Sequence, residues 1–143
     1  MARARTVLSM ADVLGLDVYP GRTMHVLGRE FSVRWPGWIW SDALSQLRTL
    51  AIEQGKDAWI VEGQAEPWTS KGEAPPAAWP GAVVEPSSVV GTLSRFESLG
   101  YTTVLLWGAE HWEDARVRHD DAWWNEMANL FASGDTAPGE RVL

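Results

Sequence analysis

Trp59-Ile60-Val61-Glu62-Gly63-Gln64-Ala65-Glu66-Pro67-Trp68 is a strand-like apolar run that ends in a carboxylate and continues into Ala-Glu-x-Trp. The same arrangement returns at Val104-Leu105-Leu106-Trp107-Gly108-Ala109-Glu110-His111-Trp112. Short apolar runs rich in β-branched and aromatic residues form buried strands. Acids and indoles delivered together at strand ends are suited to carbohydrate, since carboxyl groups move protons and attack glycosyl carbons while indole faces stack on sugar C–H surfaces.

Working outward, Asp12 to Tyr19 is a further apolar run closed by Pro20-Gly21, which predicts a buried strand stopped by a turn, preceded over Ala4 to Ala11 by the tail of a helix. Arg22 to Trp40 holds Pro36 and the closely spaced Trp35, Trp38 and Trp40, and reads as a long loop with room for a short strand or hairpin. Ser41 is a good N-cap, and Leu44, Leu47, Leu50 and Ala51 follow at helical spacing up to Gly55, so residues 42–54 are predicted helix. Residues 58–62 are predicted strand, and Glu66 to Pro86, with five prolines, a long loop. Ser87 or Ser88 caps a helix through Val90, Leu93, Phe96 and Leu99 that ends at Gly100, and Thr102 to Trp107 is the third strand. Residues 109–119 read as a polar loop, and a last helix runs from about Asp120 to Gly134, its acids facing the positive end of the helix dipole.

Strands that alternate with helices imply an α/β fold with parallel pairing through crossover helices. The long connections leave strand C-termini, where such folds place their chemistry. Residues 1–134 are read as one domain and 135–143 as a frayed tail.

At 143 residues the chain can bury a real core, and its net charge of −7 disfavours nucleic acid as a partner. Without cysteine there is no disulfide framework or thiolate metal site. No apolar run approaches the ~20 residues of a membrane span, and the basic segment Met1 to Met10 lacks a signal-peptide core. A soluble, cytoplasmic protein with no membrane partner is expected. Ten tryptophans against two tyrosines and three phenylalanines show that indole is favoured specifically. Each indole has two readings, core anchor or ligand platform, and position beside acids favours the second for Trp68, Trp107 and Trp112.

Gly15 to Pro20, Trp59 to Trp68 and Gly100 to Trp112 together resemble the C-terminal part of TIM-barrel glycoside hydrolases of clan A, in particular family 5 cellulase-like proteins. The resemblance implies a partial TIM barrel of about three parallel βα units. It places the retaining nucleophile at Glu62, its orienting tyrosine at Tyr19 and a substrate-floor tryptophan at Trp107. The family's acid/base glutamate belongs to the first half of the barrel, outside the matching segments. A three-stranded half-barrel keeps two open sheet edges, which self-association would cover, so a homo-oligomer is expected.

Retaining hydrolysis needs two carboxyl groups about 5–5.5 Å apart, one ionised and one protonated. Glu66, Glu110 and Asp17 are the available second acids, with Glu66 and Glu110 preferred as acid/base. Gln64, Asp17 and His111 complete the predicted carbohydrate-binding set with the three tryptophans. Glu62 retains a plain alternative as a structural ion pair, and His111 as a solvated side chain. Asp17, Glu62, Glu66, Glu110 and His111 offer oxygen and imidazole donors for a divalent metal, as in a metal-dependent sugar isomerase, but lack a compact ligand spacing. No metal and no cofactor is expected, and no phosphate-binding glycine loop or nucleophile-elbow serine occurs. The expected activity is thus hydrolysis of β-linked glucans or related glycosides, with a non-catalytic carbohydrate-binding or structural half-barrel and a metal-dependent sugar isomerase as the alternatives.

Overall fold

The computed structural model describes residues 5–6, 8–27, 29–67 and 84–134. Trp68, most of the proline-rich connection and the 135–143 tail lie outside the described residues.

The described chain is α/β, with five strands and four helices: β1 (Val13–Val18), β2 (Gly21–Val26), β3 (Arg29–Arg34), α1 (Gly37–Glu53), β4 (Asp57–Gln64), α2 (Pro86–Ser98), β5 (Val104–Trp107), α3 (Ala109–Val117) and α4 (Ala122–Gly134). β1, β4 and β5 form a three-stranded sheet in that order, parallel throughout. β2 and β3 make a separate antiparallel hairpin.

Helices cover one face of the parallel sheet. Leu14, Leu16 and Val18 of β1 alternate with polar or small residues, and with Ala58 and Ile60 of β4 they join Leu44, Leu50 and Ala51 of α1 and Phe96 of α2. A second cluster holds Ala65, Val89 and Leu106 against Trp112 and Ala115 of α3 and Trp123 and Met127 of α4. Tyr101 is buried between them, its hydroxyl donating to the Leu44 carbonyl at 2.9 Å. Apolar burial on this face is the main favourable term, at roughly 25 cal/mol per Å².

The structure corrects three local readings. α1 starts at Gly37 rather than after Ser41, because Pro36 takes the N-cap position; Ser41 lies inside the first turns, its hydroxyl donating to the Gly37 carbonyl. α2 starts at Pro86, and Ser88 closes the cap from the third helical position by accepting the Glu85 N–H at 3.1 Å. The stretch read as a polar loop over 109–119 contains α3, whose apolar residues Trp112 and Ala115 occupy one narrow stripe on an otherwise charged helix. The optional hairpin is present as β2 and β3, and Gly55 takes its expected place after α1 with φ +65°.

The strand register contains the feature that positions the site. Leu16 pairs with Ile60, but the next residue, Asp17, pairs with Glu62, so Val61 is an extra residue in β4. The same step appears on the other side, where Val104 and Leu106 pair with Ile60 and Gly63. Strict alternation would send Glu62 to the side of Ile60, into the helix-covered core. The bulge resets the phase and places Glu62 on the opposite face, in the row of Asp17.

That opposite face carries Gly15, Asp17 and Tyr19 of the β1 segment, Trp59, Val61 and Glu62 of β4, and Leu105 and Trp107 of β5. Val61 methyls stand 3.2 Å from where a Gly15 side chain would begin, so any larger residue there would require Val61 to shift. Trp59, Leu105 and Trp107 are 37%, 39% and 45% exposed. Among the described residues no helix is long and apolar enough to cross a membrane.

Candidate carboxylate site at the strand ends

The chain leaving β1 brings Tyr19 over the end of β4, where its hydroxyl donates to Glu62 Oε2 at 2.5 Å. The half-buried Glu62 carboxylate is thereby oriented by a neutral donor. Burial, the bond to Glu62, and the charges of Glu62, Asp17 and Glu66, in that order, hold the Tyr19 hydroxyl well above its ordinary pKa. Tyr19 therefore remains a proton donor to Glu62 at neutral pH, and its electrostatics place Asp17, Glu62 and Glu66 in one acidic neighbourhood.

Glu66 lies one turn of chain beyond β4. Burial and then the charge of Glu110 raise its pKa, opposed by a hydrogen bond with Trp107, whose indole N–H can only donate. Glu110 occupies the exposed first turn of α3, facing the positive end of that helix. The two copies of the Ala-Glu-x-Trp pattern are thus adjacent, one glutamate exposed, the other partly desolvated with its pKa raised.

Gly108 makes this adjacency possible. Its φ of +137° admits glycine, and a Cβ there would lie 2.8 Å from the Ala65 carbonyl oxygen. Across this close approach, Ala65 N–H donates to the Trp107 carbonyl at 2.9 Å and Trp112 Nε1–H donates to the Ala65 carbonyl at 2.7 Å.

Two residues expected to contact carbohydrate use their polar atoms within the chain. Trp112 is buried in the cluster beneath α3 and α4, and its only polar atom is spent on Ala65, so it braces the strand end and offers no free face. Gln64 is 1% exposed; its Oε1 accepts the Gly21 N–H at 2.9 Å and its Nε2 donates to the Glu66 carbonyl at 3.2 Å. It ties the start of the hairpin to the Glu66 segment and thereby holds the geometry around Tyr19 and Glu62.

His111 is also set apart. Its ring packs edge-on against Trp123 of α4, 5.3 Å between centroids. Burial and then Arg118 lower its pKa against the opposing charges of Asp114 and Asp120, and none of the strand-end carboxylates acts on it. The structure therefore brings together Tyr19, Glu62, Asp17, Glu66, Trp107 and Glu110, while Gln64 and Trp112 are buried with their polar atoms bonded within the chain and His111 packs on Trp123. Among the described residues no group of three or more His, Asp or Glu side chains is arranged to hold a metal ion.

Trp35, Trp38 and Trp40 share a wall with none of the strand-end acids. They border a concavity between α1 and α2 that also includes Arg34 and Arg95. The sequence signals only the tryptophan run; that Arg95, 55 residues beyond Trp40, shares the same wall is a tertiary fact.

The fold and these side chains define an α/β protein with a carboxylate cluster at the C-terminal ends of parallel strands. Comparison with known protein families, curated proteins and solved structures returned no match.

Proposed function

We propose that the chain is a glycosidase-like hydrolase acting on β-linked glucans or related glycosides, with Glu62 as nucleophile. The observation that carries this reading is the bulge-placed Glu62, oriented by the Tyr19 hydroxyl on the open face of a parallel sheet. Glu66 serves as acid/base: burial and Glu110 favour its protonated form, which lets it assist the leaving group while Glu62 attacks. Trp107, half-exposed and hydrogen-bonded to Glu66, supplies a stacking surface beside both acids.

The same face favours assembly. Parallel sheets are normally covered on both sides, and here one side shows Trp59, Leu105 and Trp107 to solvent. A second copy of the chain laid against this face gives a barrel-like sheet and closes the carboxylate site from water. A non-catalytic carbohydrate-binding assembly is the second reading, favoured by the same uncovered face.

Kinetics on two aryl β-glycosides separate these roles. Glu62→Gln is expected to lower turnover of both substrates by at least about a thousandfold, the scale of losing a catalytic group. Glu66→Gln is expected to spare a dinitrophenyl glycoside, whose leaving group needs no proton, and to slow a methylphenyl glycoside. Undiminished turnover in Glu62→Gln removes Glu62 as the nucleophile, and absence of turnover in the parent chain removes the hydrolase assignment. Sedimentation showing a monomer at micromolar concentration removes the assembly, and a multimer that binds sugar without turning it over supports the second reading.

A further inference from the structure

The concavity between α1 and α2, about 390 Å³, is bordered by Arg34, Trp35, Trp38, Trp40, Thr92 and Arg95. None of the strand-end acids borders it. Its volume falls within the range of small-molecule sites.

Its chemistry is one-sided. Elsewhere among the described residues, Arg5, Lys56, Arg116 and Arg118 face the carboxylates of Glu53, Asp12, Glu113 and Asp114, and Arg48 donates to the Gly100 carbonyl. Arg34 and Arg95 instead turn to hydroxyls, Arg34 Nη2 donating to Thr92 Oγ1 at 3.4 Å and Arg95 Nε to Ser41 Oγ at 2.8 Å. Among the described residues neither has a carboxylate partner. Each guanidinium carries five N–H donors, so most of this donor capacity is not used by those two bonds.

One further feature has the same sign. α1 opens at this wall with Pro36 as its N-cap, which has no side-chain acceptor, and no acidic residue stands in its first turn. The partial positive charge of the helix end is therefore uncompensated there. In a chain with seven more acidic than basic residues, a pocket rim that gathers donors without carboxylates is a local departure from the overall charge.

Trp35 and Trp38 add flat apolar surface, 46% and 68% exposed. A planar carboxylate matches the guanidinium fork, and a ring attached to it matches the indoles. We infer that this concavity binds a carboxylate carried on a six-membered ring, the chemistry shared by sugar acids and aromatic acids. The site is independent of the Tyr19–Glu62 cluster and of whatever that cluster does.

The test uses the full chain labelled with nitrogen-15, following its indole N–H signals while methyl glucuronide, benzoate, methyl glucoside or inorganic phosphate is added. Saturable shifts confined to a few indole signals are expected with glucuronide or benzoate, and the stronger of the two identifies the ring. The neutral glucoside and phosphate are each expected to bind at least about tenfold more weakly, since one lacks the charge and the other the ring. Arg34→Gln and Arg95→Gln are each expected to weaken the acid by about tenfold or more, with far-ultraviolet circular dichroism confirming the fold. Two variants are used because Arg95 also bonds α1 through Ser41, whereas among the described residues the Arg34 side chain makes only the long bond to Thr92. Glu62→Gln is expected to leave binding unchanged, which keeps this result separate from the hydrolase assignment. Absence of saturable shifts, equal affinity for glucoside or phosphate, or insensitivity to a folded Arg34→Gln variant overturns the inference.

Discussion

Gly108→Ala is the sharpest test of how the strand ends are held together. The added Cβ would stand 2.8 Å from the Ala65 carbonyl oxygen and 3.0 Å from Glu66 Cβ, in a backbone conformation with φ +137°. Holding a non-glycine residue in such a sparsely populated region costs about 1–3 kcal/mol. Relief of the clash by separating the segments stretches the Trp112 Nε1–Ala65 bond of 2.7 Å and leaves a buried donor unpaired, about 1–3 kcal/mol more. The combined loss is roughly 2–6 kcal/mol, a large part of the about 5–15 kcal/mol that holds a domain together. In urea, with a slope of about 2 kcal/mol per molar, the midpoint falls by roughly 1–3 M. Gly91→Ala is the matched control: Gly91 lies inside α2 with no atom within 4 Å of its Cβ position, so alanine there is expected to stabilise by about 0.5–1 kcal/mol. Denaturation followed by circular dichroism on both variants decides the matter. A Gly108→Ala protein within about 1 kcal/mol of the parent would refute the close approach on which the Glu66–Glu110 adjacency depends.

Two further predictions concern pH. The Tyr101 hydroxyl is pushed up to about 12 by burial, against the opposing charge of Arg48, so folding favours its protonated form. Its contribution is complete below pH 10, the ordinary value, and is lost as pH rises from there towards 12; Tyr101→Phe is expected to cost about 1 kcal/mol at neutral pH and to flatten that alkaline decline, read from urea midpoints between pH 9 and 11. His111 has a lowered pKa from burial and Arg118, so its contribution is present above pH 6.5 and lost as pH falls below it. His111→Phe, which retains a ring against Trp123, is expected to reduce the stability lost between pH 6.5 and 5; an unchanged acid slope would refute the assigned burial of the imidazole.

The alternation of strand and helix is written in the chain because a parallel sheet and an amphipathic helix have different hydrophobic periods, 2 and 3.6. The apolar runs ending at Tyr19, Glu62 and Trp107, and the leucine spacing of α1, carry those periods with little interference from neighbours. Parallel pairing brings these strand ends to one edge, while the extra residue Val61 and the turn at Gly108 decide which acids meet there. α3 escaped this reading because Trp112 and Ala115 supply too narrow an apolar stripe, and its helical state rests on packing against α4.

What tertiary structure alone decided is the direction and availability of particular groups. Glu62 sits two residues after the core residue Ile60, and alternation along the strand would bury it; the extra residue Val61, visible only in the pairing with β1 and β5, turns it to the open face. Trp112 and Gln64 have the composition of ligand contacts, yet the carbonyl of Ala65 and the amide of Gly21 claim their polar atoms. Arg34 and Arg95 gain their shared role because hydroxyls, rather than carboxylates, lie beside them in space. Periodicity is a local property and survives in a single sequence, whereas a register shift of one residue and the pairing of distant polar atoms depend on which segments the fold brings into contact.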